Sequence, residues 1–264
     1  MMLDSGAFSA WTRKINIDLD TYIQFCKDNH QHFDCVVNLD VIPAEFGRKP
    51  SATEVEASAQ QSWDNLLYME SHGLKPIPVF HMGETFDWLE KIIIHGCDYV
   101  GISPANDRTT AQKRDWLDKV FEFIADDHGY PEVKTHGFGV TSVPLLFRYP
   151  WYSADSTSWI LTGAFGSMII PKWKQGKFVY DEIPHVVSVS SRKSKSAMEG
   201  AKNFDSFGDL TKKHILEYLD YCKVTLEQVK TDCLYRSQVS AVFFRDLSAN
   251  SVTKPFKVTR KGFF

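Results

Sequence analysis

The sequence predicts an α/β protein made of βα units around a parallel sheet. The expected type is a (β/α)8 barrel whose first βα unit is missing or replaced. Three observations lead there. Short apolar runs alternate with segments of helical periodicity. The helical segments carry matching start and stop signals. The 264 residues, 43% hydrophobic, suffice for one large core, and α/β barrels commonly run to about 250 residues.

Taken in order, Met2-Leu3 opens the series of strands. DCVVNLD (34–40), KPIPVF (75–80), DYVGIS (98–103), KTHGFGV (134–140), WYSAD (151–155) and GSMIIP (166–171) follow. Between them lie the helical segments LDTYIQFCKDNH, SATEVEASAQQSWDNLLYMESHG, ETFDWLEKIIIHG and TTAQKRDWLDKVFEFIADDHG. Ser51 and Thr53 precede an acidic first turn, and Gly73, Gly96 and Gly129 are expected to close helices. That makes seven strands where a closed barrel needs eight, and a doubly wound sheet is the competing topology. KFVYDEIPHVVSVS (177–190) can supply extra strands, and residues 196–249 read as helices. The expected organisation is a catalytic core over 1–175. A basic hairpin and helical region over 176–264 completes the same domain.

No run of about 18 apolar residues marks a membrane span, and no basic segment followed by an apolar one marks a signal peptide. Cys26, Cys35, Cys97, Cys222 and Cys233 form neither C-x-x-C nor C-x-C. They read as free thiols in a reducing, cytoplasmic setting, with no zinc site and no cofactor. The formal net charge is -3, but its distribution is uneven. Residues 1–190 carry 16 Lys+Arg against 25 Asp+Glu, whereas 191–264 carry 14 against 8. The basic end, KPFKVTRKGFF, reads either as a solvated tail or as a footprint for a phosphate backbone. Phe256, Phe263 and Phe264 interleave with its cations Lys254, Lys257, Arg260 and Lys261.

Parallel α/β folds place their sites at the carboxyl ends of strands. Those ends carry Asp4-Ser5-Gly6, Asn38-Leu39-Asp40, His81-Met82-Gly83-Glu84, Ser103-Pro104-Ala105-Asn106, His136-Gly137-Phe138-Gly139 and Ser153-Ala154-Asp155-Ser156. A single strand-end Asp reads best as a helix N-cap, but Asp4, Asp40 and Asp155 make three. Such carboxylates suit glycosyl transfer: one attacks an anomeric carbon, another moves protons. A third accepts hydrogen bonds from the N–H groups of a base.

Asp-Ser-Gly-Ala-Phe resembles the Asp-Ser-Gly-Gly-Phe motif of the tRNA-guanine transglycosylase superfamily, which includes the DNA-guanine transglycosylases of phages and genomic islands. VVNLDVIP, VFHMGE, HGFGVTS and YSADSTSW resemble further family stretches in the same order, covering roughly residues 3–170. The resemblance implies that Asp155 is the nucleophile at C1′ and Asp4 the general acid/base. It implies that Ser5 and Gly6 help to hold the base, that Asp40 reads its Watson–Crick edge, and that Gly137 and Gly139 bring backbone close to the ring. His81 or Met82 takes the place of the family's base-binding glutamine. The tRNA-acting members carry a C-x-C-x-x-C…His zinc site, which this chain lacks. Ser-Thr-Ser-Trp also follows Asp155 where those members have Pro-Thr-Arg. Both departures weaken the tRNA reading, and the expected partner is DNA rather than RNA. Relatives carry a first strand ahead of Asp-Ser-Gly, and this chain has almost none. Leu3 is therefore expected as a short buried strand.

The expected function is base exchange in DNA through an Asp nucleophile, with a free nucleobase as co-substrate. Hydrolytic excision of a modified base, leaving an abasic site, is one alternative, and an inactive nucleic-acid-binding module is another. Trp151, Tyr152 and Trp159 are candidates to stack on an extruded base, or else core residues.

Overall fold

The computed structural model describes residues 1–257 except Asn106, Thr141, Ser156, 192–199 and 251–252. The strand-end residues Asn106 and Ser156, and the tail cations Arg260 and Lys261, lie outside the described residues. The structure is mixed α/β, with parallel sheets in its first part and mostly antiparallel pairings after Ala154. The chain forms two compact units. One is Met1–Val140 with Trp151–Ala154 and Phe256–Phe264, and the other is Thr141–Pro150 with Asp155–Pro255.

The first unit alternates strand and helix: β1 (Met2–Leu3), α1 (Ala7–Arg13), α2 (Leu19–Asp28), β2 (Cys35–Val37), α3 (Ala52–Ser71), β3 (Pro76–Ile77), β4 (Val79–His81), α4 (Phe86–Ile94), β5 (Tyr99–Ser103), α5 (Thr110–Ile124) and β6 (Lys134–Gly137). The chain then passes through α6 (Val143–Arg148) of the second unit and returns as β7 (Ser153–Ala154). All pairings between these strands are parallel, and neighbours follow chain order with no reversal: β1-β2-β3 and β4-β5-β6-β7. Pro78, which has no N–H, separates β3 from β4. The Ile77 carbonyl accepts from Asn38 N–H on the β2 side, and the Pro78 carbonyl accepts from Gly101 N–H on the β5 side. One extended segment thus changes partner at the proline and ties the two parallel sheets together.

Each helix has a local cause. α3 opens with a capping box in which Ser51 and Glu54 satisfy each other's backbone N–H, and Thr109 and Gln112 do the same for α5. Gly73 and Gly96 sit at φ 84° and 92° just past α3 and α4, as expected. Gly129 does not close α5, which stops at Ile124. The Asp126 carboxylate takes the N–H groups of His128 and Tyr130 at 2.9 Å each, so the side chain competes with the helix for its own backbone. Leu3 pairs with Val36 as a short strand, but it is half-buried rather than buried, against the cluster of Tyr22, Ile23, Cys26, Leu39 and Met69.

The second unit holds α7 (Ser158–Ala164), β8 (Ser167–Ile170), β9 (Lys172–Lys174), β10 (Lys177–Val179), β11 (His185–Ser188), β12 (Lys202–Asn203), α8 (Asp209–Tyr221), α9 (Leu226–Thr231) and α10 (Cys233–Asn250). The extra strands expected within 177–190 are β10 and β11. β9 and β10 form a hairpin, and Gln175 and Gly176, both at positive φ, make its turn. The helical reading of 196–249 fails over 202–203, which pairs as β12 with β11. Met168, Ile170, Val187, Ile215, Tyr218 and Val239 form its core. α7 meets α10 at Gly163, where a Cβ would fall 2.2 Å from Ser237 Oγ and 2.8 Å from the Cys233 carbonyl.

Candidate functional site

The polar residues named from the sequence do fall at the carboxyl ends of the parallel strands. Asp4 follows β1, Asp40 lies three residues past β2, His81 ends β4, Gly137 ends β6, and Asp155 follows β7. None of the three aspartates is a helix N-cap. Gly6, Ser51 and Thr157 occupy those positions ahead of α1, α3 and α7.

Asp40 is held from three sides. Helix α3 fixes its loop: Asn38 Nδ2 donates to the Ser62 carbonyl at 2.7 Å, Asn65 Nδ2 to the Leu39 carbonyl at 2.7 Å, and Val41 N–H to Ser62 Oγ at 2.8 Å. The Ser5 hydroxyl donates to Asp40 Oδ1 at 3.2 Å, while Ser5 Oγ accepts the Ala7 N–H at 3.3 Å. His81 Nε2 lies 2.9 Å from Asp40 Oδ2. The other edge of the ring meets Glu84: Nδ1 is 3.2 Å from Oε1, and His81 N–H donates to Oε2 at 3.1 Å. The turn His81-Met82-Gly83-Glu84 makes this possible. Gly83 sits at φ 120°, which only glycine adopts without strain, and Glu84 folds back onto the histidine that precedes it.

Burial by itself pushes the His81 pKa down, but hydrogen bonds and charge from Asp40 and Glu84 outweigh it and carry it up to about 10. Both ring nitrogens therefore carry protons at neutral pH, and each donates to a carboxylate. The side chains of His81, Asp40 and Glu84 are 11%, 9% and 5% exposed, so this ion-paired chain is screened from water. Tyr22, on α2, donates its hydroxyl to the Val37 carbonyl at 2.8 Å, at the end of the strand that leads to Asp40. Burial pushes that phenol far above its usual range, and the charges of Asp4 and Asp40 add to the effect.

The structure thus brings together Ser5, Asp40 and His81. It adds Glu84, which the sequence places in the same turn but which was not assigned a role. The signal was the His-x-x-Glu spacing across a glycine. Met82 is half-buried and donates its N–H to the Ser103 carbonyl at 3.0 Å. Gly6 at φ 75° sets the turn into α1. Gly139 is in the left-handed region at φ 60°. A Cβ at Gly137 would meet Val140 Cγ2 at 2.8 Å, so packing within the protein requires that glycine. Asp4 and Asp155 are exposed, and Asp155 falls in the second unit. Just ahead of it Ser153 Oγ lies 2.6 Å from His136 Nδ1 and also meets the Tyr99 hydroxyl, which fastens β7 to β6 and β5.

The aromatic residues divide. Trp151 packs edge-on against Phe121, Tyr152 is 62% exposed with Lys134 over its ring, and Trp159 is 36% exposed. Phe256 is buried against Phe121 and is not a stacking surface, while Lys254 and Lys257 beside it are exposed. Among the described residues no group of His, Cys, Asp and Glu is arranged to hold a metal ion. No helix among them is long and apolar enough to cross a membrane. Comparison with protein-family models and with curated proteins finds no match to this chain.

Proposed function

We propose that the chain is a base-modifying enzyme that cleaves a base–sugar N-glycosidic bond in DNA and exchanges the base, on a (β/α)8-type barrel. The observation that carries the reading is the Asp40 carboxylate, fixed by Ser5 and His81 among strand carboxyl ends. An ionised carboxylate held this way is an acceptor for the N–H groups of a purine edge. Parallel strands in unreversed chain order support a barrel over a doubly wound sheet.

On the resemblance, an Asp155 oxygen bonds to C1′ as the C1′–N bond breaks. The bonding electrons go to the base nitrogen, which Asp4 protonates. A nitrogen of an incoming base then attacks C1′, Asp4 takes up its proton, and Asp155 is released as carboxylate. With water in place of the base, the same step leaves an abasic site. The test uses duplex DNA with and without a 7-deazaguanine-type base. Incorporation of labelled free base supports exchange. Alkali-labile strand breaks without added base correct the outcome to hydrolysis. Binding with neither product overturns the enzyme reading.

A further inference from the structure

We infer that His81 and Ser5 are positioning residues that hold Asp40 as an ionised, oriented carboxylate toward the ligand, and that neither touches the ligand itself. The inference rests on Asp40 being the group that meets the base. A glutamine amide at this place would be uncharged and would present both of its N–H donors from a single nitrogen. The imidazolium of His81 has N–H donors on opposite edges and carries a charge, so it bridges Asp40 and Glu84 together, at 2.9 and 3.2 Å. Glu84 in turn takes the His81 N–H, so ring and backbone are fixed from one carboxylate. Ser5 is spent as donor to Asp40 and as acceptor from Ala7 N–H, and it is 6% exposed. With Ser5 on Oδ1 and His81 on Oδ2, the plane of the Asp40 carboxylate is set, and each oxygen keeps lone-pair capacity for one ligand N–H. Two carboxylates and one imidazolium leave one net negative charge, which suits a neutral or cationic N–H-rich edge and repels an anionic one.

Among the described residues the charged groups facing His81 are Asp40 and Glu84, and Tyr22 feels the charges of both Asp40 and Asp4. Removing the cation leaves two buried carboxylates with no charge between them, which favours protonation of Asp40. The experiment uses the full chain in two parts. Histidine-selective nitrogen NMR reads the His81 ring, assigned by its loss in His81→Gln. A ring doubly protonated at pH 8 supports the inference, and a neutral ring at pH 7 overturns it. Steady-state kinetics from pH 6 to 9 then compare wild type, His81→Gln and His81→Gln/Glu84→Gln, the last lacking the orphaned second carboxylate. Loss of one charged hydrogen bond should raise KM for the base roughly tenfold or more. An acidic limb absent from wild type should appear in His81→Gln, with kcat changed little. The double variant should recover stability and lose that limb, yet keep the weakened KM. Wild-type KM and an unshifted pH profile in both variants overturn the inference. Should wild type show neither exchange nor excision, the functional reading falls alone, because the ring titration still reports whether His81 bridges two carboxylates.

Discussion

A histidine locked between two acids makes alkali, rather than acid, the condition that loosens its surroundings. The folded-state pKa of His81 is raised from 6.5 to about 10. A raised pKa means that the folded state holds a proton the unfolded chain has released. The stabilisation is complete below about pH 6.5 and drains as pH rises towards 10, by about 1.4 kcal/mol per pH unit at most. Urea unfolding at pH 7 and 9.5 should show this fall in wild type and a flatter dependence in His81→Gln. Equal slopes would remove His81 from the balance. The two exposed aspartates carry a different expectation. Asp155→Asn should leave the fold intact and cut turnover on the order of 10³-fold or more, read in single-turnover assays. Asp4→Asn should lower the rate strongly and leave DNA binding nearly unchanged, because a proton donor matters mainly in the transition state. Near-normal turnover in either variant would strike that residue from the chemistry.

Among the elements, α7 and α10 cross with no room for a side chain at Gly163. Gly163→Ala would drive a methyl group into Ser237 Oγ and the Cys233 carbonyl, one of them rigid backbone. Overpacking of this kind costs about 1–3 kcal/mol or more, so a clear drop in urea midpoint is expected, and an unchanged midpoint would mean that the crossing is loose. The long elements were legible because their signals agree. The boxes at Ser51–Glu54 and Thr109–Gln112 open helices of 20 and 15 residues whose periodic faces bury Leu66, Met69, Leu117 and Phe121. Helices α1, α6 and α7 escaped the sequence reading because they run only 6–7 residues and begin without a side-chain cap bond. Too few turns are present for a period to show. Asp126 misled in the opposite sense, since its carboxylate ends α5 before the glycine that was expected to do so.

For the molecule as a whole, DNA binding should weaken steeply with salt as phosphate contacts release counterions. Removing Lys254, Lys257, Arg260 and Lys261 together should flatten the log–log slope by up to about 3–4. An unchanged slope in a fluorescence-anisotropy titration would make the tail a solvated end. The strand-end polar residues of the candidate site were legible, because a parallel sheet delivers its loops to one end. The bonds among them were not. Only folding brings His81 to Asp40, 41 positions away in the chain, and pairs Ser5 with the same carboxylate. Phe256 shows what such separation means during synthesis. Its ring fills a place against Phe121 and its N–H meets the Gly129 carbonyl, yet Gly129 leaves the ribosome well over a hundred residues earlier. At roughly 5–20 residues per second, a nascent chain holds that apolar spot open for several seconds or more. A chaperone that recognises exposed aromatic surface has that interval in which to bind, and translation arrested before residue 256 would leave the spot permanently available to it.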